Sequence, residues 1–223
     1  PFAVRVSVNE STAALRYINQ PLSLGKRGIS LDWLTHISMI KMLKDNGIAF
    51  TITTMGTLFR ENEKEFLKYF VENGYINSII ALPAGLFEYA KGLSTVALIF
   101  SSHNSSVRYI DARQIFTKGR RYNTLSDSDI DRIMELCHTD SSISSVVSAH
   151  EIAANDYNLA VGRYFGEEIS ISNGVPFETV IKKITRGAQL KAAQLDGLSS
   201  TGPTKYQYLT LSDIQNGQIS EHL

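Results

Sequence analysis

Few side chains of the types that carry chemistry stand close together in this 223-residue sequence. The lone cysteine, Cys137, is a potential nucleophile, but no local histidine and aspartate framework accompanies it, so a core thiol is the favoured interpretation. His138, His150 and Glu151 offer metal-ligand atoms, but their spacing matches no familiar metal site. The sequence therefore predicts neither a thiol enzyme nor a metal centre.

Two short basic stretches have the chemistry to contact phosphate groups. Lys26 and Arg27 lie in a polar, glycine-containing region, and residues 118–122, KGRRY, form a basic tip between two predicted elements. Phosphate contact competes in both places with an ordinary solvated surface, which is the commoner role of exposed cations. The sequence favours the solvated surface and leaves phosphate contact open.

Composition bounds the class of protein. Lys plus Arg equals Asp plus Glu at 22 each, so net charge demands no nucleic-acid or membrane partner, and 43% apolar residues support a core for one substantial domain or one domain and part of another. The single cysteine allows no intramolecular disulfide, and no secretory leader is recognised, so a reducing cytoplasm is expected. No apolar run approaches the roughly 20 residues of a membrane span.

The centre of the predicted fold is a strand, turn, strand unit over residues 75–100. Residues 76–82 and 95–100 are rich in β-branched and aromatic side chains and lack polar alternation, which predicts central strands covered by helices on both faces. The connecting turn, residues 82–87, is apolar where a loop facing solvent is normally polar. It is predicted to be a structural corner and a candidate wall of a site.

Helical and extended patterns alternate around this unit. Helices are predicted over residues 31–43 and 61–73, with a strand over 48–54 between them, and this order is typical of an α/β protein with a mostly parallel sheet. The pair at 76–82 and 95–100 is the one expected to be antiparallel. A short strand at 107–110 follows, and then a helix capped by Ser126 whose apolar face is formed by Ile130, Ile133, Met134 and Cys137.

The two ends of the chain carry weaker patterns. Residues 5–28 read as a long loop with a brief helical pattern at 13–18, and residues 169–176 have linker character. Beyond the linker, β-like runs at 180–184 and 206–211 and a hairpin-type turn at Asn216-Gly217 predict an incomplete α+β or β-rich domain that begins near Asn173.

An ordered series of short segments carries a family resemblance. The segments are LKDNG at 43–47, GTLF at 56–59, LPAGLF at 82–87, residues 92–100, YIDA at 109–112, NTLS at 123–126, Glu151-Ile152, NDYNL at 155–159 and Arg163-Tyr164. In their order and spacing, over residues 1–165, the chain resembles the later half of the adenine-N6 DNA methyltransferase subunit of type I restriction-modification systems. The resemblance implies a parent protein that methylates adenine with S-adenosylmethionine.

The resemblance also implies a fold and partners. Residues 1–122 correspond to the C-terminal half of a Rossmann-like methyltransferase sheet with flanking helices, residues 123–172 to a helical tail and linker, and residues 173–223 to the start of a target-recognition domain. Double-stranded DNA is the implied substrate, and specificity and restriction subunits are candidate partners. No membrane partner is implied.

Pro1 and Phe2 match the end of the family's Asn-Pro-Pro-Phe catalytic motif. The resemblance implies that Phe2 stacks on an adenine that has left the helix, while Pro1 fixes the backbone. The alternative is a common dipeptide without a role. The family's glycine-rich methyl-donor motif is not found, and Thr54 stands where the family usually has proline, so this chain alone is expected neither to bind S-adenosylmethionine well nor to transfer a methyl group.

The C-terminal piece is similar to the opening of a target-recognition domain from specificity subunits. In that case Arg186, Lys191 and Lys205 are candidate DNA contacts, and an ordinary small β-rich domain is the alternative. For the whole chain, the alternative to a methyltransferase fragment is a non-enzymatic DNA-binding or assembly module that keeps the methyltransferase sheet. An unrelated α/β protein is the third hypothesis.

Overall fold

A computed structural model describes most of the chain: residues 4–17, 29–88, 92–165, 174–175, 177–185, 190–198, 200, 202, 205, 214–215 and 218–219. The chain divides into two compact units, Pro1–Glu168 and Ile169–Leu223. Over the described ranges, no helix combines the length and apolar character that crossing a membrane requires.

The first unit holds the main sheet and its helices. Its elements in chain order are β1 (Arg5–Val6), α1 (Val8–Tyr17), β2 (Ile29–Ser30), α2 (Leu31–Met42), β3 (Ala49–Thr54), α3 (Lys64–Glu72), β4 (Ile76–Ala81), β5 (Thr95–Phe100), β6 (Ser106–Asp111), α4 (Asp127–Leu136), β7 (Ser144–Ser148) and α5 (Ala149–Ala154). Short 3-10 turns at Met55–Leu58, Glu61–Glu63 and Val161–Arg163 complete it.

The second unit is described only in short pieces. They are the helical segments α6 (Phe177–Val180) and α7 (Ala192–Leu198) and the antiparallel pair β8 (Ile214–Gln215) and β9 (Gln218–Ile219). The strands predicted at 206–211 lie outside the described residues. The β-like prediction for 180–184 is wrong, because Val180 ends a helical turn and the next four residues form no strand. Three apolar residues around two lysines suit either conformation at that length.

The main sheet has five strands in the order β3-β5-β4-β6-β7. β4 and β5 are central, as predicted, and they pair antiparallel through a register that sets Ala81 opposite Val96. The prediction of a mostly parallel sheet is wrong: β4 and β6 form the one parallel pair in this sheet, and its other three pairings are antiparallel. Alternation of helices and strands indicates layers, but strand direction depends on connections that the pattern does not specify.

Helices α2 and α3 pack on the sheet through an aromatic cluster. The rings of Trp33 and Phe70 lie 5.0 Å apart and those of His36 and Phe100 lie 5.2 Å apart. The predicted face of α3, which includes Phe66 and Phe70, is buried throughout. Aromatic pairs at these separations add directional attraction to the area that they bury, so they fix the two helices against β5.

Helix α4 covers a smaller cluster with a face different from the predicted one. Ile133 and Leu136 are buried, with Cys137 half-buried beside them, whereas Ile130 is 45% exposed and Met134 is 55% exposed. Ser126 caps the helix as predicted, in a capping box with Asp129. Apolar residues occur at several helical spacings here, and only tertiary contacts select the stripe that is buried.

Two segments contain strands that the sequence did not predict, and the first also contains a longer helix than the brief pattern at 13–18 suggested. Residues 5–17, predicted as part of a loop, form β1 and α1, and β1 pairs antiparallel with β2. β7, of sequence SSVVS, adds an edge strand to the sheet within the segment expected to be a helical tail. Two-residue strands show no measurable periodicity, and serines conceal the β pattern of β7.

Gly74 provides a direct test of the turn that leads into β4. Its φ is +63°, and a Cβ would lie 2.6 Å from the carbonyl oxygen of Asn104. We expect Gly74→Ala to lower the free energy of unfolding by about 2 kcal/mol or more, because it adds a backbone clash to a left-handed conformation. Denaturant unfolding measures the change. Gly92→Ala is the matched control, since its Cβ meets nothing within 4 Å. An equal loss of stability in both variants would contradict the requirement for glycine at position 74.

His36 provides a pH test of the aromatic cluster. Burial lowers the pKa of His36 to about 3 from an ordinary value of 6.5, so the folded ring stays neutral where the unfolded ring gains a proton. Stability should therefore fall as the pH drops below about 6.5, by roughly 1 to 2 kcal/mol by pH 5. Denaturant unfolding across this range should show the slope in the wild type and in the exposed-site control His138→Gln. If His36→Phe loses stability with falling pH as steeply as the wild type does, the assignment of this pH dependence to His36 is contradicted.

Candidate functional site

The described strands place their functional groups at one edge of the sheet. β3 and β4 are both antiparallel to β5, and β6 is parallel to β4, so β3, β4 and β6 run in the same direction. They end at Thr54, Ala81 and Asp111, and these ends define the carboxyl edge of the sheet. Open α/β sheets bind ligands outside the carboxyl ends of their strands.

A cluster of threonine hydroxyls lies where β3 ends. Thr57 Oγ1 lies 3.1 Å from Thr53 Oγ1 and 3.2 Å from Thr54 Oγ1, and Arg60 donates from Nη2 to Thr54 Oγ1 at 3.3 Å. Gly56 allows this arrangement, since a Cβ there would lie 3.1 Å from Arg60 Nη2. Thr54 thus uses the hydroxyl that a proline would lack to hold the Arg60 guanidinium at the carboxyl edge.

The carboxylate of Glu63 is buried next to this cluster. It accepts hydrogen bonds from the Ser30 backbone N–H at 2.9 Å and from the Trp33 indole N–H at 3.2 Å. Arg60 lies 3.4 Å away and Arg5 lies 3.6 Å away as ion-pair partners. A buried charge is tolerated only when it is paired and hydrogen-bonded, and Glu63 meets both conditions with four partners, which come from residue 5, residues 30–33 and residue 60.

A cavity of about 220 Å³ opens beside Arg60. Phe59, which is 49% exposed, lines it together with Lys64, Asn155 and Arg163. Lys64 donates to Asp156, and that hydrogen bond raises the pKa of Lys64. The Leu159 N–H donates to the Leu58 carbonyl at 2.9 Å, so the family-like segments GTLF and NDYNL meet in this part of the molecule. The cavity offers charged, polar and aromatic contacts.

The corner at residues 82–87 is hydrogen-bonded to Asn123, the residue that follows the basic tip (residues 118–122). The Asn123 backbone N–H donates to the Gly85 carbonyl, and Asn123 Nδ2 donates to the Ala84 carbonyl, both at 2.8 Å. At the end of β6, Arg113 donates from Nε to Asp111 Oδ1 at 2.7 Å and from Nη2 to Oδ2 at 2.5 Å, which lowers the pKa of Asp111. At the carboxyl edge, the segment after β4 is therefore connected to Asn123, and Asp111 at the end of β6 is already paired.

The structure covers only part of the predicted site. Pro1, Phe2, Lys26, Arg27 and Arg186 lie outside the described residues. Two further candidates lie in the second unit: Lys191 is exposed and its backbone N–H donates to Gln194 Oε1 at 3.0 Å, and Lys205 is exposed in a bend. The DNA contacts assigned to these residues stay predictions.

The other candidate site residues from the sequence are Cys137 and the group of His138, His150 and Glu151. Desolvation by burial raises the pKa of the Cys137 thiol, which makes it a poor nucleophile at neutral pH. Across the part of the chain that the structure describes, no group of three His, Cys, Asp or Glu side chains is arranged to hold a metal ion, and this covers His138, His150 and Glu151.

Sequence reasoning missed Glu63 and Arg60. Glu63 falls in the acidic first turn of a predicted helix, where glutamate is common on the surface, so no local signal marks it as buried. Its partners Ser30 and Trp33 lie 33 and 30 residues away. The one sequence signal was Thr54 at the family's proline position, which marks the place where this chain builds a hydroxyl network.

The sheet and its polar carboxyl edge define an α/β protein of the Rossmann-like class. A family model described as N-6 DNA Methylase matches residues 8–171. The match covers well over half of the chain, so the chain belongs to the N-6 DNA methylase family, and the resemblance to the type I methyltransferase subunit is confirmed.

The relatives of known sequence are methylase subunits. The chain is 28% identical over 176 residues to the type I restriction enzyme HindI methylase subunit of Haemophilus influenzae, covering 72% of this chain and 39% of that protein. It is 25% identical over 134 residues to the MpnII methylase subunit of Mycoplasma pneumoniae, covering 57% of this chain and 24% of that protein. The chain thus spans well under half the length of these relatives.

Solved structures agree with the fold. The type I methyltransferase subunit from Streptococcus thermophilus matches with a TM-score of 0.65 and 27% identity, over 73% of this chain and 35% of that one. A chain of a type I restriction-modification system, whose complex assembly and conformational transition have been described, matches with a TM-score of 0.57 and 19% identity over 89% of this chain and 40% of that one. The second likeness shows the fold alone.

Glu63 provides the test of the buried network. We expect Glu63→Gln to lower the free energy of unfolding by about 3 kcal/mol, because removal of the charge leaves Arg60 without its buried counter-ion. Denaturant unfolding measures the loss. Glu65→Gln, an exposed site two residues away, should change stability by less than about 0.5 kcal/mol. A Glu63→Gln protein as stable as the Glu65→Gln protein would contradict the network.

Proposed function

We propose that the chain forms part of a site-specific adenine-N6 DNA methyltransferase of a type I restriction-modification system. The whole protein transfers a methyl group from S-adenosylmethionine to an adenine flipped out of double-stranded DNA. The observation that carries the proposal is the N-6 DNA methylase match over residues 8–171, which includes the sheet and its carboxyl edge. The methylase-subunit relatives support the same assignment.

The described residues do not fit a binding site for S-adenosylmethionine. A nucleoside cofactor on such a sheet needs a glycine-rich turn after a strand and a free carboxylate for ribose hydroxyls. At the described carboxyl edge, Arg113 already binds Asp111, and Glu63 is enclosed by its own donors. We therefore assign the methyl donor to none of these residues and propose that other parts of the whole protein bind it.

Target-base binding is proposed for Pro1 and Phe2. Phe2 stacks on the flipped adenine and Pro1 holds the backbone beside it. The anchoring of the neighbouring described residues supports the assignment. Val4 accepts a hydrogen bond from the Leu31 N–H at 2.7 Å, and Arg5 pairs with Glu63 next to the threonine cluster. Val4 and Arg5 are thus held near the carboxyl edge.

DNA contacts and protein partners are also proposed from the type I assignment. Lys26 and Arg27 are candidates for phosphate contacts, and Arg186, Lys191 and Lys205 are candidates for contacts made by a target-recognition domain that begins in residues 173–223. Specificity and restriction subunits are the proposed protein partners, and the cytoplasm is the proposed location. These proposals follow from the type I assignment, and exposed positions for Lys191 and Lys205 are compatible with them.

Methyl transfer by the whole protein tests the proposal. Purified full-length methyltransferase, with its specificity subunit, is incubated with tritiated S-adenosylmethionine and duplex DNA, and tritium in N6-methyladenine is counted. We expect transfer by the wild type and a loss of roughly 1 to 3 kcal/mol of base binding in Phe2→Ala, because stacking is removed. Phe2→Tyr, which keeps the ring, is the control. Wild-type transfer by Phe2→Ala would sink the role of Phe2, and no transfer by any form would sink the function.

A further inference from the structure

Residues 117–124 form a compact loop that carries three exposed cations within four residues. We call it the basic hairpin. Lys118, Arg120 and Arg121 are all exposed, and Tyr122 beside them is 42% exposed. Several other cations of the first unit are paired, namely Lys64 with Asp156, Arg113 with Asp111, Arg108 with Asp140, Arg132 with Glu135 and Lys68 with Glu72. None of the ion pairs between described residues involves the three cations of the basic hairpin.

The backbone of the basic hairpin is held in one conformation. Thr117 and Thr124 exchange backbone hydrogen bonds at 2.9 and 3.0 Å and close the loop. Inside it, Gly119 packs so tightly that a Cβ would lie 2.0 Å from the Tyr122 carbonyl oxygen, which only glycine permits. The cations are therefore displayed on a short, closed support.

Anchors fix the basic hairpin at the carboxyl edge. Asn123 binds the carbonyls of Ala84 and Gly85 in the corner that follows β4. On the other side, Thr117 Oγ1 donates to Asp129 Oδ2 at 2.9 Å, at the start of α4. Asp129 is the acid that faces the base of the hairpin. Its carboxylate also accepts hydrogen bonds from Ser126 in the capping box, and it forms no ion pair with Lys118, Arg120 or Arg121.

Charge and chemistry indicate what this tip binds. Arginine pairs with phosphate oxygens through two parallel N–H donors, and an adjacent exposed tyrosine ring adds a surface for stacking. The 223 residues have no net charge, so any attraction of this part of the protein to a polyanion comes from such local concentrations. The tip lies on the edge where open α/β sheets meet their ligands, which favours the enzyme's own substrate over a protein partner.

We propose that the basic hairpin binds the phosphate backbone of DNA beside the methylation site. This inference rests on the proposed function and adds to it a named contact surface in the catalytic part of the chain. Arg120 and Arg121 each neutralise a backbone phosphate. Because phosphate contacts are independent of base sequence, the hairpin strengthens binding to duplex DNA in general and leaves recognition of the site to other residues.

The salt dependence of DNA binding tests the hairpin. Full-length methyltransferase with its specificity subunit is titrated onto an end-labelled duplex at several salt concentrations, and fluorescence anisotropy gives the association constant. For Arg120→Gln with Arg121→Gln, we expect the slope of log K against log salt to fall by about 1.8 for two lost contacts, and affinity at low salt to fall about tenfold or more. Arg120→Lys with Arg121→Lys keeps both charges and should keep the slope.

A matched control separates a specific contact from general loss of charge. Lys41→Gln with Lys44→Gln also removes two exposed cations, but from the end of α2 that leads into the start of β3, at the opposite edge of the sheet. This control should keep the wild-type slope, and all variants should keep the wild-type unfolding temperature. An unchanged slope in the hairpin variant, or an equal change in the control, overturns the inference.

Parallel measurements distinguish the ways in which the experiment can fail. If the wild type transfers methyl groups and the hairpin variant has a wild-type slope, the inference fails and the proposed function stands. If that variant keeps its slope but loses its specificity subunit on size-exclusion chromatography, the hairpin is a protein contact and the inference is overturned. If the wild type neither binds DNA nor transfers methyl groups, the proposed function fails, and the inference fails with it.

Discussion

The carboxylate of Glu63 is removed from water, and the energy of a buried charge obliges the chain to surround it with donors. Those donors come from the strand that precedes α2, from α2 itself, from β1 and from the turn before α3. One charge therefore holds together segments that are distant in sequence, at the edge of the sheet where the strands end. The threonine cluster, the Arg60 guanidinium and the described N-terminal residues take their positions from it.

The directions of the strands bring the candidate functional residues together at this edge. β3, β4 and β6 all end there, so the turns that follow them, together with the basic hairpin anchored to one of those turns, are collected on the same side of the molecule. Helices α2 and α3 bury their aromatic faces against the sheet. The aromatic core thus holds the helices on the sheet, and the polar groups outside it are those that we propose to lie near DNA.

How much of this the sequence could predict depended on the range of the interactions. The central strands β4 and β5, the buried face of α3 and the Ser126 cap rest on local patterns, and they were predicted correctly. Strand directions, the serine-rich β7 and the buried face of α4 depend on tertiary contacts that no local pattern contains. In the site, the LPAGLF corner was recognisable from its residues, whereas Glu63 looked like an ordinary acidic residue at a helix start.

We propose that the carboxyl edge of this sheet faces DNA. Hydrogen–deuterium exchange of the full-length methyltransferase, with and without duplex DNA that contains its adenine site, tests this claim most directly, because backbone amides report contact segment by segment. We expect slower exchange with DNA at residues 55–59, 82–88 and 117–124, and unchanged exchange at residues 43–48 and 101–105 on the opposite edge. Protection confined to the opposite edge, or absent from all of these segments, would contradict it.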